Sequence, residues 1–159
     1  MTREEIMRRV FALALEGMRS GKGGPFGTVI IKDGEIIGEG YNRVLADRDP
    51  TAHAEVVAIR DACRRLGTQD LSGAELYVNG VPCCMCMSST LWARIDRVHY
   101  VLSMEESAAI GLGDDHFYAE LARPVAERQI VPLEGMPALR DEAMAIYQEW
   151  LDKPDKETF

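Results

Sequence analysis

The sequence predicts an α/β domain of three α/β/α layers, with a mixed five-stranded sheet carrying helices on both faces. Three observations carry this expectation. β-rich runs alternate with stretches of helical periodicity, a two-residue turn joins the first two strands, and no apolar run approaches the length that spans a bilayer. The chain has 159 residues, 47% apolar and 28% charged, enough for one ordinary core without a disulfide scaffold. Residues 1–152 read as one domain and residues 153–159 as a tail.

The elements follow in order. Thr2 and Glu5 have the spacing of a capping box, and Ile6, Val10, Leu13 and Ala14 form one apolar stripe, so a helix is expected over residues 3–19. Gly21, Gly23, Gly24 and Pro25 end it. Phe26 to Lys32 and Glu35 to Tyr41 read as strands joined at Asp33-Gly34. Thr51 is placed to cap a second helix, which carries Val56, Ile59, Ala62, Cys63 and Leu66 and stops at Gly67. A strand at Glu75 to Asn79 runs through the turn Gly80-Val81-Pro82 into a third helix, Cys83 to Ala93. Arg97 to Leu102 is the next strand, Ile130 to Leu133 the last, and Ala138 to Leu151 the final helix. Pairing beyond the first hairpin is expected to be parallel.

Composition narrows the function. Lys and Arg number 18 against 26 Asp and Glu, a net charge of −8, which argues against binding a phosphate backbone. Residues 1–20 alternate charges with aliphatics and lack a signal-peptide core, so the chain reads as soluble and cytoplasmic. Cys83, Cys84 and Cys86 crowd into four residues, where mutual disulfides are awkward and metal or redox chemistry is favoured.

Two stretches carry that chemistry: His53-Ala54-Glu55 and Pro82-Cys83-Cys84-Met85-Cys86, each at the start of an expected helix. A catalytic zinc ion takes three protein ligands and keeps one position open for water. His53, Cys83 and Cys86 make such a set. The C-x-x-C spacing lets both sulfurs face one side of a first helical turn, whose N-terminal dipole favours thiolates. Glu55, two residues beyond His53, can lie beside the open position without binding metal and carry protons there. Taken alone, the cysteine pair also suits half of a structural zinc site or a redox couple, and the His-Glu pair a solvated helix face. Together, in this order, they favour a catalytic zinc site. Cys63 falls in the apolar stripe of its helix and reads as a space-filling residue.

With these residues in hand, the sequence resembles the cytidine deaminase-like superfamily and, within it, the bacterial guanine deaminases. The resemblance rests on Gly23-Gly24-Pro25-Phe26-Gly27, Asn42, Asp49 to Glu55, Pro82-Cys83, Cys86, Trp92-Ala93-Arg94 and Gly111 to Asp115. It implies a Zn²⁺ aminohydrolase that releases ammonia from a free base, with guanine converted to xanthine. By the same resemblance Phe26 stacks on the base, Asn42 hydrogen-bonds its polar edge, Asp114 accepts from ring N–H groups, and Phe159 closes the pocket. A homodimer with exchanged C-terminal segments is implied as well.

The sequence departs from the family pattern in three places. Val78-Asn79-Gly80-Val81 stands where a hydroxyl residue and a Glu precede the proline, Cys84 replaces a usual Pro, and the tail ends in Phe rather than Tyr. The competing expectations are deamination of another amino-heterocycle (cytosine, isocytosine, a triazine or a pterin), editing of adenosine in tRNA, and a zinc-binding module without catalysis.

Overall fold

In a computed structural model residues 1–157 are described. They fall into two compact units, Met1–His116 and a second that begins at Phe117.

In the first unit, Thr2 caps α1 (Arg3–Arg19) through its hydroxyl, which accepts from the Glu5 N–H at 3.2 Å, while the Glu5 carboxylate accepts from the Thr2 N–H at 2.8 Å. Strands β1 (Gly27–Lys32) and β2 (Glu35–Tyr41) form the expected hairpin. Asp33 and Gly34 both have positive φ, 52° and 82°, the conformation that lets a two-residue turn follow the twist of the strands. β3 (Glu75–Val78) and β4 (Arg97–His99) complete a sheet of order β2-β1-β3-β4 among the described residues.

Alternation along the strands sorts the core into two halves. Val29, Ile31 and Tyr77 pack beneath Ile6, Val10 and Leu13 of α1. Ile30, Leu76 and Val78 face the other way, against Ala58 and Ala62 of α3 (Ala54–Leu66) and Ala93 after α4 (Cys84–Trp92). Each large aliphatic side chain so buried contributes roughly 1.5–3 kcal/mol. The three-layer α/β/α class is thereby found as expected.

Five details differ from the sequence reading. β1 and β3 pair antiparallel, and only β3 and β4 pair parallel. The reason is topological: α3 carries the chain from β2 across to the far side of β1, so β2 and β3 run alike and both oppose β1. Among the described residues the sheet has four strands rather than five. Ile130 to Leu133 is irregular backbone whose Ile130, Val131 and Leu133 side chains are exposed, so an apolar run there has no partner strand to complete a ladder. The fourth strand stops at His99, and Leu102 makes only an isolated bridge to Gly80. Thr51 does not cap α3. Its N–H and hydroxyl both donate to the Asp49 carboxylate, and His53 is the N-cap. A short helix, α2 (Val44–Asp47), was not anticipated.

The unit also holds α5 (Met104–Ala109), capped by a second capping box, Ser103 with Glu106. From α6 (Asp115–Leu121) onward the chain forms short 3₁₀ turns at Val125–Glu127 and Pro137–Leu139, then α7 (Arg140–Asp152). Glu120 ties the backbone between them by accepting from the Gln129 and Ile130 N–H groups. Met144, Ile146, Tyr147, Trp150 and Leu151 of α7 are exposed.

Candidate metal centre and active site

The approach to α3 is built by local hydrogen bonds. The Thr51 N–H and hydroxyl reach Asp49 at 2.8 and 2.7 Å, and the Arg43 N–H donates to the Ala52 carbonyl at 2.9 Å. This delivers His53 in extended conformation (φ −66°, ψ 157°), with no side-chain capping bond to compete for its ring. Glu55, in the first turn, is only 5% exposed.

The approach to α4 is a bracket of backbone bonds. Leu102 donates to the Asn79 carbonyl at 3.0 Å and accepts from the Val81 N–H at 2.9 Å, which turns the chain toward Cys83. Cys83 is the N-cap of α4, and its sulfur accepts from the Cys86 N–H at 3.5 Å.

These two helix starts meet. The His53 Nδ1 lies 3.5 Å from each of the Cys83 and Cys86 sulfurs, and the three donor atoms lie within 4.8 Å of one another. Tetrahedral zinc with bonds of about 2.0–2.1 Å to nitrogen and 2.3 Å to sulfur would hold such atoms about 3.5 Å apart. The donor set therefore fits zinc in chemistry and in spacing.

Electrostatics agree. Hydrogen bonds from Cys86 and then His53, with the α4 backbone, bring the Cys83 thiol down to about 4. The hydrogen bond to Cys83 raises His53. Cys86, sharing a proton with Cys83, buried and beside Glu55, is pushed up. Burial raises Glu55 above the ordinary carboxylate value, and burial with the nearby Cys83 charge does the same for Asp114.

A cavity of about 380 Å³ opens beside the metal donors, within the size range of small-molecule sites. His53, Glu55, Cys83, Asn42 and Asp114 supply its polar surface and Phe26 one wall. Cys86 lies buried behind Cys83. The structure thus brings every expected site residue among those described to one place, and Phe159 lies outside the described residues. The wall residues Val44, Leu45, Ser107 and Leu112 were missed, and Val81 was noticed only as a departure. No periodicity or motif marks such residues, because loops from distant parts of the chain carry them.

Two polar groups are left for a ligand. The Asn42 side-chain oxygen accepts from the Gly24 and Val44 N–H groups, each at 3.2 Å, which orients the amide and leaves its NH₂ available. The Asp114 Oδ2 is buried with no hydrogen-bond partner among the described residues. A ligand with one acceptor and N–H donors satisfies both.

Comparison with known proteins agrees with this site. Residues 1–102 match the cytidine and deoxycytidylate deaminase zinc-binding region, and the chain belongs to that family of zinc-dependent aminohydrolases. The guanine deaminase of Bacillus subtilis is 46% identical over 130 residues, covering 82% of this chain and 83% of that protein. A crystal structure of guanine deaminase from the same organism superposes with a TM-score of 0.93 at 40% identity, covering 100% of this chain and 99% of that one. A tRNA-specific adenosine deaminase of Aquifex aeolicus is 51% identical over 74 residues, covering 46% of this chain and 49% of that protein.

Proposed function

We propose that this protein deaminates guanine to xanthine and ammonia. The observation that carries the reading is the pairing, beside the metal donors, of a buried acceptor at Asp114 with a free amide NH₂ at Asn42. Guanine offers N–H donors and a ring carbonyl to such a pair, and Phe26 supplies a flat wall for stacking. Likeness to a protein named guanine deaminase, over most of both chains, supports the same substrate.

His53, Cys83 and Cys86 would hold zinc, which when bound lowers the pKa of a water from 15.7 towards about 7. Glu55, buried and uncharged more readily than an ordinary carboxyl, takes a proton from the attacking water and hands it to the ring nitrogen next to C2. Glu55 then takes the remaining proton of the hydroxyl added at C2 and delivers it to the amine, so that the C2–N bond breaks, ammonia leaves and the C2 carbonyl forms. Asn42 and Asp114 keep the ring oriented while this happens.

The test is loss of the guanine absorbance in the ultraviolet with purified protein, alone and with a chelator. Glu55→Gln is expected to retain metal and to lose at least about 10²-fold in kcat. Retained turnover in that variant would exclude Glu55 as the proton carrier. Guanine left intact while cytosine, a triazine or a pterin releases ammonia would reassign the substrate.

The reading extends to assembly. Exposure of the apolar side chains of α7 supports a homodimer in which C-terminal segments are exchanged, residues 153–159 closing a neighbour's site. Sedimentation should then give a dimer, and removal of residues 153–159 should cripple turnover with zinc still bound. No described helix is long and apolar enough to cross a membrane. The unpaired cysteines suit a reducing compartment, so we assign the enzyme to the cytoplasm, in the breakdown of purines.

A further inference from the structure

The departure at Asn79 acquires a role in the structure. The β1–β3 ladder ends at the pair Thr28 and Val78. Beyond it the backbone turns away, because the Asn79 carbonyl and the Val81 N–H are both engaged by Leu102. The Asn79 side chain takes over where the ladder stops. Its Nδ2 donates to the Pro25 carbonyl at 2.8 Å, and its Oδ1 accepts from the Gly27 N–H at 3.0 Å. One planar amide therefore grips the two peptide groups that flank Phe26, donating to one and accepting from the other as a strand neighbour would.

The peptide groups of Phe26 are also held elsewhere. On its other side, the Phe26 N–H donates to the Gly24 carbonyl at 2.9 Å and its carbonyl accepts from the Asn42 N–H at 3.0 Å. Its ring edges rest near Gly24 and Gly80. A methyl built on Gly80 would stand 3.3 Å from the Phe26 Cε1, and one built on Gly24 would stand 3.5 Å from Cδ2. Neither of these two neighbours has a side chain to brace the ring.

We propose that Asn79 is a positioning residue that sets the Phe26 wall for the base, acting through the peptide groups on either side of Phe26 without lining the cavity itself. A hydroxyl would have to donate and accept through one oxygen, whereas the amide does so through two atoms held in one plane. The inference rests on the stacking role assigned to Phe26 above.

Steady-state kinetics test it, read with whichever base the wild-type enzyme deaminates, so that the test stands apart from the identity of the base. Asn79→Ala is expected to raise KM about three- to tenfold, with kcat within about twofold and zinc content unchanged. In a Phe26→Leu background the same substitution should raise KM less than about twofold, because the ring it aims is gone. Equal effects in both backgrounds, an unchanged KM, or loss of zinc in Asn79→Ala would each overturn the proposal. If Asn79→Ala does not accumulate as folded protein, Asn79→Asp carries the test. It keeps the acceptor for Gly27 and loses the donor to Pro25, so KM should rise, and a wild-type KM in that variant overturns the proposal.

Discussion

Two helices begin at the metal centre and each presents its N-cap residue to it, yet they are held there by different means. α3 brings His53 by packing against a distant strand. A Cβ on Gly38 would stand 2.5 Å from the Ala58 carbonyl oxygen, and one on Gly40 would stand 2.6 Å from that of Ala54, so the helix backbone sits directly on β2. α4 brings its two sulfurs by local bonds: the Cys86 N–H to the Cys83 sulfur, the Thr90 hydroxyl to the Cys86 carbonyl at 2.8 Å, and the Ser89 hydroxyl to the Met85 carbonyl at 2.9 Å. The two sulfurs are thus spaced by bonds within α4 itself, whereas the body of the helix behind His53 is seated by its close approach to β2. The half of the centre set by packing should fail when packing is disturbed, and the local half only when its own chemistry is changed.

The strongest break is chemical. Cys83→Ala removes one sulfur and the cap of α4 together, and bound zinc and turnover are both expected to fall to background in metal analysis and an ammonia assay. The next is mechanical. Gly40→Val leaves all three ligands in place but forces α3 off β2, with an expected loss of about 1–3 kcal/mol in urea unfolding and weaker zinc binding. Ser89→Ala on α4 is the matching control, with an expected change within about 0.5 kcal/mol and unaltered zinc content. Equal zinc loss from Gly40→Val and Ser89→Ala would dissolve the contrast between the two helix starts.

The smallest effect sharpens the comparison on the approach to His53. The hydroxyl and then the N–H of Thr51 hold the Asp49 carboxyl below its ordinary value of 3.8. A carboxylate lowered on folding adds stability above its unfolded value and loses it as pH falls through the folded one. The stability gap between wild type and Asp49→Ala should therefore be full at neutral pH and close as the solution is acidified below about pH 4. A gap that stays constant to low pH would mean that the Asp49 charge does not hold this loop.

Much of this was legible in advance, for identifiable reasons. α1 follows from its cap, the hairpin from its turn residues, and the presence of helices at α3 and α4 from periodicity and the turn before Cys83, all of which act within a few residues. The direction of β3 was misread because it depends on where α3 lands, which no local pattern records. The false strand at Ile130 to Leu133 came from apolar composition without a ladder partner. Thr51 was misread as a cap because Asp49 competes for its hydroxyl. Asn79 was visible only as an oddity until the end of the β1–β3 ladder gave it a task.

The sequence by itself determined the donor chemistry, because the C-x-x-C pair and the His-x-Glu pair act over a turn of helix, where covalent spacing governs geometry. Only the tertiary structure decided that Phe26, Asn42, His53, Cys83 and Asp114 share one cavity. They come from separate segments, and what gathers them is the burial of two core faces on one sheet, a balance of contacts that no single segment contains.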